Sequence, residues 1–221
     1  MKNAFIAGLV LAATCLCPVT AAQTLKAVKL PTPQSDGGRP LMQVLKDRKS
    51  TREFGPGTLS PQTLSNLLWA AVGINRPDGR RTAPSAMNWQ EVSIYVANPE
   101  GVYIYDAKEN ALTPVLAGDQ RGATGTQSFV KDAAINLVYV ADLSKTSSSS
   151  SEDEMYTAAD VGFIAQNVYL YCASEGLAVV VRASVDKPAL AKLLKLQPTQ
   201  AIILAQSLGY PKEPATPPAQ H

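Results

Sequence analysis

A short charged and hydroxylated stretch, Arg48-Lys49-Ser50-Thr51-Arg52-Glu53-Phe54, lies between two segments of helical pattern. In an extended backbone, side chains two residues apart project to the same side, so Arg48, Ser50 and Arg52 can converge on one point. Two guanidinium groups and a hydroxyl at that point suit a phosphate, because charge-assisted donors match its oxygens. The stretch alone is also compatible with a solvated linker, and only other parts of the chain can distinguish a phosphate site from a linker.

The composition is that of a globular protein rather than a disordered one. The chain has 221 residues, of which 46% are apolar and 17% charged, enough for a substantial core in a single domain. The formal net charge is +2, and no basic patch indicates nucleic acid as a partner. The only histidine is His221, so the sequence predicts neither a histidine-dependent catalytic triad nor a metal site. A glycine-rich nucleotide-binding loop is also absent from the sequence.

The N-terminus has the pattern of an export signal at residues 1–22. Lys2 precedes an apolar run over residues 4–16, and small residues lead up to Ala22. The run is short for a bilayer span, so we predict cleavage after Ala21 or Ala22 and a periplasmic or secreted protein without a stable membrane anchor. Retention of the segment as an anchor is the alternative. After cleavage Cys172 is the only cysteine, and an internal disulfide is not expected.

The remaining chain is predicted to form one domain of mixed helices and strands. Prolines and glycines predict an extended arm at residues 23–39 before the domain at residues 40–212, and residues 213–221 are predicted to be a disordered tail. Helices and strands follow each other without a regular β-α-β alternation, which favours an α+β fold with a mainly antiparallel sheet flanked by helices. The predicted helices lie at residues 40–47, 61–72, 152–174 and 187–195, and the predicted strands at residues 92–97, 102–105, 135–141, 178–181 and 202–207.

The predicted helix at residues 152–174 is apolar around much of its circumference. Met155 and Phe163 lie on one stripe, and Val161 and Val168 lie on an adjoining stripe. A helix of this kind is buried on more than one side. That burial fits either the centre of a large domain or an interface between subunits.

A second stretch with chemical character is Arg81-Thr82-Ala83-Pro84-Ser85-Ala86-Met87-Asn88-Trp89-Gln90. Pro84 sets a bend, and Ser85 and Asn88 offer hydrogen-bond donors and acceptors. The small residues around them would let a flat ligand approach the backbone. The same pattern also fits a capped helix start.

These motifs, taken in their order along the chain, resemble the FMN-dependent nitroreductase superfamily. The similarity is closest to the branch that contains the azoline-oxidising dehydrogenases, which form thiazoles and oxazoles. It covers residues 40–212. The motifs that carry it are R-x-S-x-R-x-F at residues 48–54, L-L-W-A-A at 67–71, R-T-A-P-S-A-x-N-x-Q at 81–90, V-Y-I-Y-D at 102–106, A-Q-N at 165–167 and L-G-Y-P at 208–211.

The resemblance implies a homodimer with two FMN sites at the subunit interface, each built from both chains. By this resemblance Arg48, Ser50 and Arg52 hold the FMN phosphate and ribityl chain, with Lys49 contributing by its backbone or side chain. Many relatives add a Lys-x-Arg pair near the C-terminus, and here only Lys212 could take that part.

On the flavin ring the resemblance implies contacts from two further segments. Pro84, Ser85 and Asn88 would line one part of the isoalloxazine, and the main chain of residues 180–182 would contact another. Many relatives have a glycine-rich bend where this chain has Arg182 and Ala183. Arg182 would then either stabilise an anionic flavin or crowd the pocket.

The function implied is that of an exported FMN-dependent oxidoreductase working by two successive exchanges through flavin N5. A donor, with NAD(P)H as one candidate, reduces the flavin and leaves, and an electron-poor small molecule then takes the electrons. A catalytic side chain is not required. Two alternatives are a non-catalytic flavin- or ligand-binding relative and a cofactor-free envelope protein that associates through its dimer face. FMN is expected to be non-covalent, although residues 119–124 partly match the threonine motif for covalent attachment of flavin.

Overall fold

The computed structural model describes residues 25–148 and 150–212. The predicted signal peptide at residues 1–22 and the predicted tail at residues 213–221 lie outside the described residues. The arm runs largely without regular structure over residues 25–40 and contributes one short strand to the sheet.

The centre of the molecule is a 7-stranded sheet in the order β1-β4-β3-β2-β5-β7-β6, in which every neighbouring pair is antiparallel. The predicted α+β class with a mainly antiparallel sheet is therefore confirmed. The strands are β1 (Val28–Lys29), β2 (Val92–Ala97), β3 (Gly101–Asp106), β4 (Ala111–Ala117), β5 (Ile135–Asp142), β6 (Ala178–Arg182) and β7 (Gln200–Gly209).

Strands β1 and β4 are the two that the sequence pattern did not predict. Strand β4 contains Pro114, a residue that cannot donate to a ladder and is confined to edges and irregular places in sheets. The register of β3 against β4 shifts between Val102 and Tyr103, which pair with Leu116 and Pro114. The proline is accommodated at this bulge, where the ladder is already interrupted.

The helices cover both faces of the sheet. On one face, α2 and α3 pack over inward-facing strand residues such as Ile94 and Tyr139. On the other face, α4 packs over the alternate residues, among them Tyr95 and Val140. The helices are α1 (Leu41–Asp47), α2 (Pro61–Val72), α3 (Ser151–Glu175) and α4 (Lys187–Leu194).

Helix α3 is the longest element and contacts α1, α2 and the sheet. Its Val161 and Val168 are fully buried in the core of the chain itself. On the other predicted stripe Met155 is 59% exposed and Phe163 is 49% exposed, whereas Tyr169 is buried. The helix therefore has a core-facing side and a separate apolar side that this chain leaves uncovered.

Arg182, at the end of β6, fixes the connection between β4 and β5 to the sheet. Its guanidinium group is buried, with only 6% of the residue exposed, and burial lowers its pKa to about 10. Nη1 donates to the Thr124 carbonyl at 2.6 Å, Nη2 to Thr124 Oγ1 at 3.1 Å and to Asn136 Oδ1 at 3.0 Å, and Nε to Ser207 Oγ at 3.0 Å. Within residues 25–148 and 150–212 it has no carboxylate partner, so these neutral groups solvate the cation.

We expect Gly125→Ala to destabilise the folded protein by roughly 2–4 kcal/mol, because an added Cβ would overlap Arg182 Nη1 and displace a buried, charge-assisted hydrogen bond. The φ of Gly125 is −178°, an extended conformation that alanine also adopts, so steric overlap is the only cause. Urea unfolding of the variant checks this. Gly122→Ala is the matched control, since its Cβ would meet nothing nearer than Lys131 Cβ at 3.8 Å. Equal unfolding midpoints for both variants would contradict the prediction.

Candidate functional site

The stretch at residues 48–54 runs beside the edge strand β6. The Thr51 N–H donates to the Val179 carbonyl at 2.9 Å, and Phe54 forms an isolated bridge with Pro211. The Lys212 N–H donates to the Glu53 carbonyl at 3.3 Å. The stretch is thus an ordered part of the fold and not the solvated linker that the sequence also allowed.

Tyr169 of α3 brings two of the predicted phosphate ligands together. The Arg48 guanidinium lies over the Tyr169 ring, 5.4 Å from its centroid, which is cation–π geometry. Ser50 Oγ lies 2.7 Å from the Tyr169 hydroxyl, and that hydroxyl also accepts from the Val181 N–H at 2.9 Å. Sequence reasoning missed this role, because Tyr169 lay within an apolar helix pattern and nothing near it in sequence marked it as polar.

The direction of these hydrogen bonds determines what Ser50 can offer. Because the Tyr169 oxygen already accepts from Val181, its own proton is best used in a bond to Ser50 Oγ. Ser50 then keeps its hydroxyl hydrogen for a further acceptor. Since Ser50 is exposed and Arg48 is half-buried, the pair presents two donors at the surface.

Arg52 and Lys49, the other two predicted phosphate ligands, are exposed. Lys49 lines an open groove of about 620 Å³ together with Lys212, whose position in sequence gave only a weak indication of this proximity. Lys46 and Arg39 also line this groove, so its lining has more basic than acidic side chains. The structure therefore places Lys49 on the side of Lys212, while Arg48 and Ser50 meet at Tyr169.

The second stretch folds as a loop tied to the ends of α2 and α3. The Thr82 N–H donates to the Gly73 carbonyl at 2.9 Å, which anchors the loop to the end of α2. The Ala86 N–H donates to Asp160 Oδ2 of α3 at 2.8 Å, and Trp89 packs edge-on against Tyr156 with ring centroids 6.3 Å apart. These contacts hold the loop on the N-terminal half of α3.

The backbone of this loop is unusual and excludes the capped helix start. Met87, Asn88 and Gln90 have φ values of 49°, 57° and 48°, a left-handed region that residues other than glycine rarely occupy. Residues 86–88 make only a single 3-10 turn, and the Ser85 side chain does not cap it. Several neighbouring residues keep such a backbone conformation only where surrounding contacts hold them in it.

Among the predicted ring-side residues, Pro84 and Asn88 are exposed and Ser85 is half-buried. Ser85 Oγ accepts from the Gln90 N–H at 3.1 Å, and Asn88 Oδ1 accepts from Gln90 Nε2 at 3.1 Å. Gln90 therefore organises both residues from inside the loop. Since Asn88 Oδ1 is engaged, its NH₂ group is the part left for a ligand.

The two clusters lie on opposite sides of one helix. Tyr169 follows Asp160 by nine residues, which is about 13 Å along the axis and half a turn around it. The intervening helix is packed against α2 and the sheet. The structure brings Arg48 to Ser50 and brings Pro84, Ser85 and Asn88 together, but within one chain it does not bring these two groups to each other.

The Arg182 guanidinium is engaged within the chain, because its nitrogens donate to Thr124, Asn136 and Ser207 beneath the surface. A contact of its side chain with flavin stays a prediction. Strand alternation points the side chain inward, and its main chain is the other candidate contact. The same cluster argues against covalent flavin at Thr124, because this residue is 1% exposed and its hydroxyl donates to the Arg121 carbonyl at 2.7 Å.

Over residues 25–148 and 150–212 there is no group of three or more His, Cys, Asp or Glu side chains that could hold a metal ion. None of the helices in the same residues combines the length and the apolar character that crossing a membrane requires.

Comparison with known proteins identifies the fold and the family. The sequence profile of the Nitroreductase family matches residues 45–210. A protein of Methanocaldococcus jannaschii that is named as a nitroreductase is 31% identical over 168 residues, which make up 71% of this chain and 85% of that protein. A crystal structure from Ralstonia eutropha JMP134, also of a protein named as a nitroreductase, superimposes with a TM-score of 0.82 at 40% identity and covers 87% of this chain and 93% of its own.

The microcin synthetase McbBCD complex of E. coli shares the fold alone. One of its chains superimposes with a TM-score of 0.65 at 19% identity, covering 93% of this chain and 85% of that one. The family profile and the relatives at 31% and 40% identity carry the assignment. The chain belongs to the nitroreductase family.

Proposed function

We propose that this protein is an FMN-dependent oxidoreductase that transfers electrons to an electron-poor small molecule. The observation that carries the proposal is the arrangement of Arg48 and Ser50 on Tyr169, which presents a cation and a free hydroxyl hydrogen at one point of the surface. FMN, when bound, supplies the two-electron chemistry between a donor such as NAD(P)H and the acceptor. The protein's own residues bind and orient it.

We refer to Arg48 and Ser50, as they are held on Tyr169, as the clamp. The clamp fits a phosphate in charge and in geometry. Arg48 supplies a planar fork of donors and Ser50 supplies a hydroxyl that is already oriented by Tyr169. Arg52, two residues further along the stretch, adds a second exposed guanidinium. Lys49 and Lys212 line the neighbouring groove and raise the local positive potential.

The ring-side loop fits a flat heteroaromatic ligand. Pro84 and Asn88 are exposed, and Ala83 and Ala86 carry no bulk that would hold a ring away from the backbone. The Asn88 NH₂ group is available as a donor, because Gln90 occupies its oxygen. Donors beside the ring favour negative charge on it, which is the charge that reduction develops.

We further propose that each site combines the clamp of one protomer with the 84–90 loop of the partner subunit. The two groups face opposite sides of α3, and a helix with side chains is about 10–12 Å across, so one ligand cannot reach both in one chain. The apolar side of α3 at Met155 and Phe163, and the exposed Leu41 and Met42 of α1, are suited to burial by a second copy. Such an obligate interface covers roughly 2,000 Å² or more.

Export and substrate class belong to the same proposal. The pattern at residues 1–22 supports a periplasmic or secreted protein that acquires FMN after export. Nitroaromatics, quinones and azoline-like rings all fit the chemistry, and membership of the azoline-oxidising branch stays a prediction. A relative that binds flavin without turnover is the alternative function, and the experiment below separates it.

Purified mature protein, mixed with FMN and desalted, is expected to stay yellow, to be bleached by NAD(P)H or dithionite, and to be reoxidised by at least one electron-poor acceptor. Replacing Arg48 or Arg52 with alanine should weaken FMN binding by roughly 1.5–3 kcal/mol, the size of one charge-assisted contact. Fluorescence titration of FMN measures the affinities.

Lys192→Ala is the control for charge, since it removes one positive charge from α4 on the opposite face of the sheet. Its FMN affinity should equal that of the wild type. A protein that retains no flavin would contradict both the oxidoreductase and the flavin-binding alternative. A yellow protein that no acceptor reoxidises would favour the non-catalytic relative.

Tyr169→Phe should weaken FMN binding by about 1 kcal/mol while leaving Arg48 over the ring, because Ser50 loses the bond that orients it. The Val181 N–H also loses its acceptor, so the unfolding free energy should fall by a similar amount. Tyr171→Phe, two residues along α3, removes a hydroxyl that donates to the Thr63 carbonyl at 3.3 Å and serves as control. If both variants bind FMN as the wild type does, Tyr169 has only a structural role.

Phe163→Lys should convert a homodimer into a folded monomer that has lost FMN, because a charged side chain would be buried without a partner in the interface. Light scattering and FMN titration at micromolar protein give the two readouts. Ala189→Lys places the same charge on the exposed side of α4 and should change neither. A wild-type monomer that binds one FMN per chain would refute the shared site.

A further inference from the structure

Glu91 is a buried carboxyl group that lies directly before β2. None of its surface is exposed, and within residues 25–148 and 150–212 neither carboxyl oxygen has a hydrogen bond of regular geometry. Because removing a charged carboxylate from water is unfavourable unless donors solvate it, burial at this position favours the neutral acid. Burial raises the pKa of Glu91, and the negative charge of Asp160 acts in the same direction.

The groups around Glu91 come from three elements. Helix α3 supplies Asp160 and Thr157, and the buried Thr157 hydroxyl lies close enough to Glu91 to act as a donor that lowers its pKa. The segment after α2 supplies Arg81, whose buried Nε has no hydrogen-bond partner among the described residues and whose charge also faces Tyr105 and Asp106 of β3. A cavity of about 20 Å³ beside Glu91, Arg81 and Asp160 has room for one water molecule.

We propose that Glu91 and Asp160 share one buried proton, and that this pair holds the 84–90 loop in its ligand-binding conformation. The proton resides on Glu91 and is donated to the Asp160 carboxylate, which uses its Oδ2 to accept from the Ala86 N–H at 2.8 Å. Asp160 is thus a positioning residue, and the protonated Glu91 donates a hydrogen bond to its carboxylate. The role of the loop in ligand binding rests on the proposed function, whereas the shared proton does not.

The loop needs such an anchor because its backbone is strained. Residues other than glycine in the left-handed region cost of order 1 kcal/mol or more each, and this loop has Met87, Asn88 and Gln90 there. Ala86 precedes all three, so its bond to Asp160 fixes the chain where the strain begins. Without that bond the loop would relax, and the positions of Ser85 and Asn88 would change with it.

The shared proton makes folding stability depend on pH in a defined direction. Above the ordinary pKa of a glutamic acid, about 4.3, the unfolded chain releases a proton that the folded chain retains. The neutral acid therefore makes its whole contribution to the free energy of unfolding below that pH. The contribution declines as the pH rises toward the raised pKa of Glu91 in the folded state. A glutamine at position 91 has no proton to lose and removes this decline.

The test of the proton compares Glu91→Gln with the wild type by urea unfolding of flavin-free mature protein between pH 4 and pH 8. We expect the midpoint of Glu91→Gln to rise relative to that of the wild type as the pH increases. Glu109→Gln, at an exposed position, is the matched control and should follow the wild type at every pH. Parallel pH profiles for Glu91→Gln and the wild type would overturn the shared proton.

The test of the loop uses Trp89 fluorescence in a Trp69→Phe background, in which Trp89 is the only tryptophan. Asp160→Ala should shift the emission and increase quenching by acrylamide, whereas Asp160→Asn, which can still accept from Ala86, should restore the wild-type spectrum. FMN affinity should fall at least tenfold in Asp160→Ala and remain within twofold in Asp160→Asn. An unchanged Trp89 signal in Asp160→Ala would overturn the anchoring role.

The pH, fluorescence and FMN-binding measurements together distinguish failure of the proton-sharing anchor from failure of the proposed function. If Glu91→Gln removes the pH dependence and Asp160→Ala frees Trp89 while no variant binds FMN, the proton-sharing anchor stands and the proposed function fails. If the wild type binds FMN but neither the pH profile nor Trp89 responds, the anchor fails and the proposed function stands.

Discussion

Helix α3 serves two clusters that face opposite sides of it, and the rest of the structure depends on this constraint. Tyr169 reaches the stretch beside β6, and Asp160 reaches the loop at residues 84–90. Between them the helix is buried against α2 and the sheet, so neither cluster can move around it. Under the proposed function, a ligand that needs both would have to take them from two chains, and assembly would then be coupled to binding.

The stretch at residues 48–54 has a structural task as well as a chemical one. Strand β6 is the edge of the sheet, and an open edge is a template for unwanted pairing. Thr51 donates to β6 and Phe54 is buried near Phe129, with ring centroids 6.1 Å apart, so the stretch covers part of this edge. Because the backbone is extended there, alternate side chains are free for the clamp, and one segment meets both needs.

Elements with strong local patterns could be predicted from the sequence, and features that depend on distant contacts could not. All four helices and five of the strands followed from periodicity and cap signals such as Ser60-Pro61 and Gly176. Strand β4 was missed because Pro114 is tolerated only where β3 shifts register, a fact of pairing. Arg48 and Ser50 could be paired from their spacing, but Tyr169 lies over a hundred residues away and becomes visible only when the chain folds.

Side-chain direction was the other feature that the motifs did not contain. Arg182 matched a flavin-contacting segment of the family, yet strand alternation turns it toward Asn136 and Ser207 on neighbouring strands. The left-handed backbone at Met87 and Asn88 is likewise set by contacts of the loop with α3 and not by the residue types. In both cases family position predicted the neighbourhood of the site, and packing decided the contacts within it.

Two of the buried ionisable groups, Arg182 and Glu91, show different ways of meeting the cost of burying a charge. A guanidinium cannot give up its proton in a protein, so Arg182 must be solvated by fixed dipoles, and four hydrogen bonds supply them. A carboxyl group can become neutral instead, so Glu91 can lie where neither of its oxygens has a hydrogen bond of regular geometry. Only the second solution responds to pH. Because Glu91 lies beneath the 84–90 loop while Arg48, Ser50 and Arg52 offer guanidinium and hydroxyl groups, the pH response of Glu91 acts on the loop and not on residues 48–52.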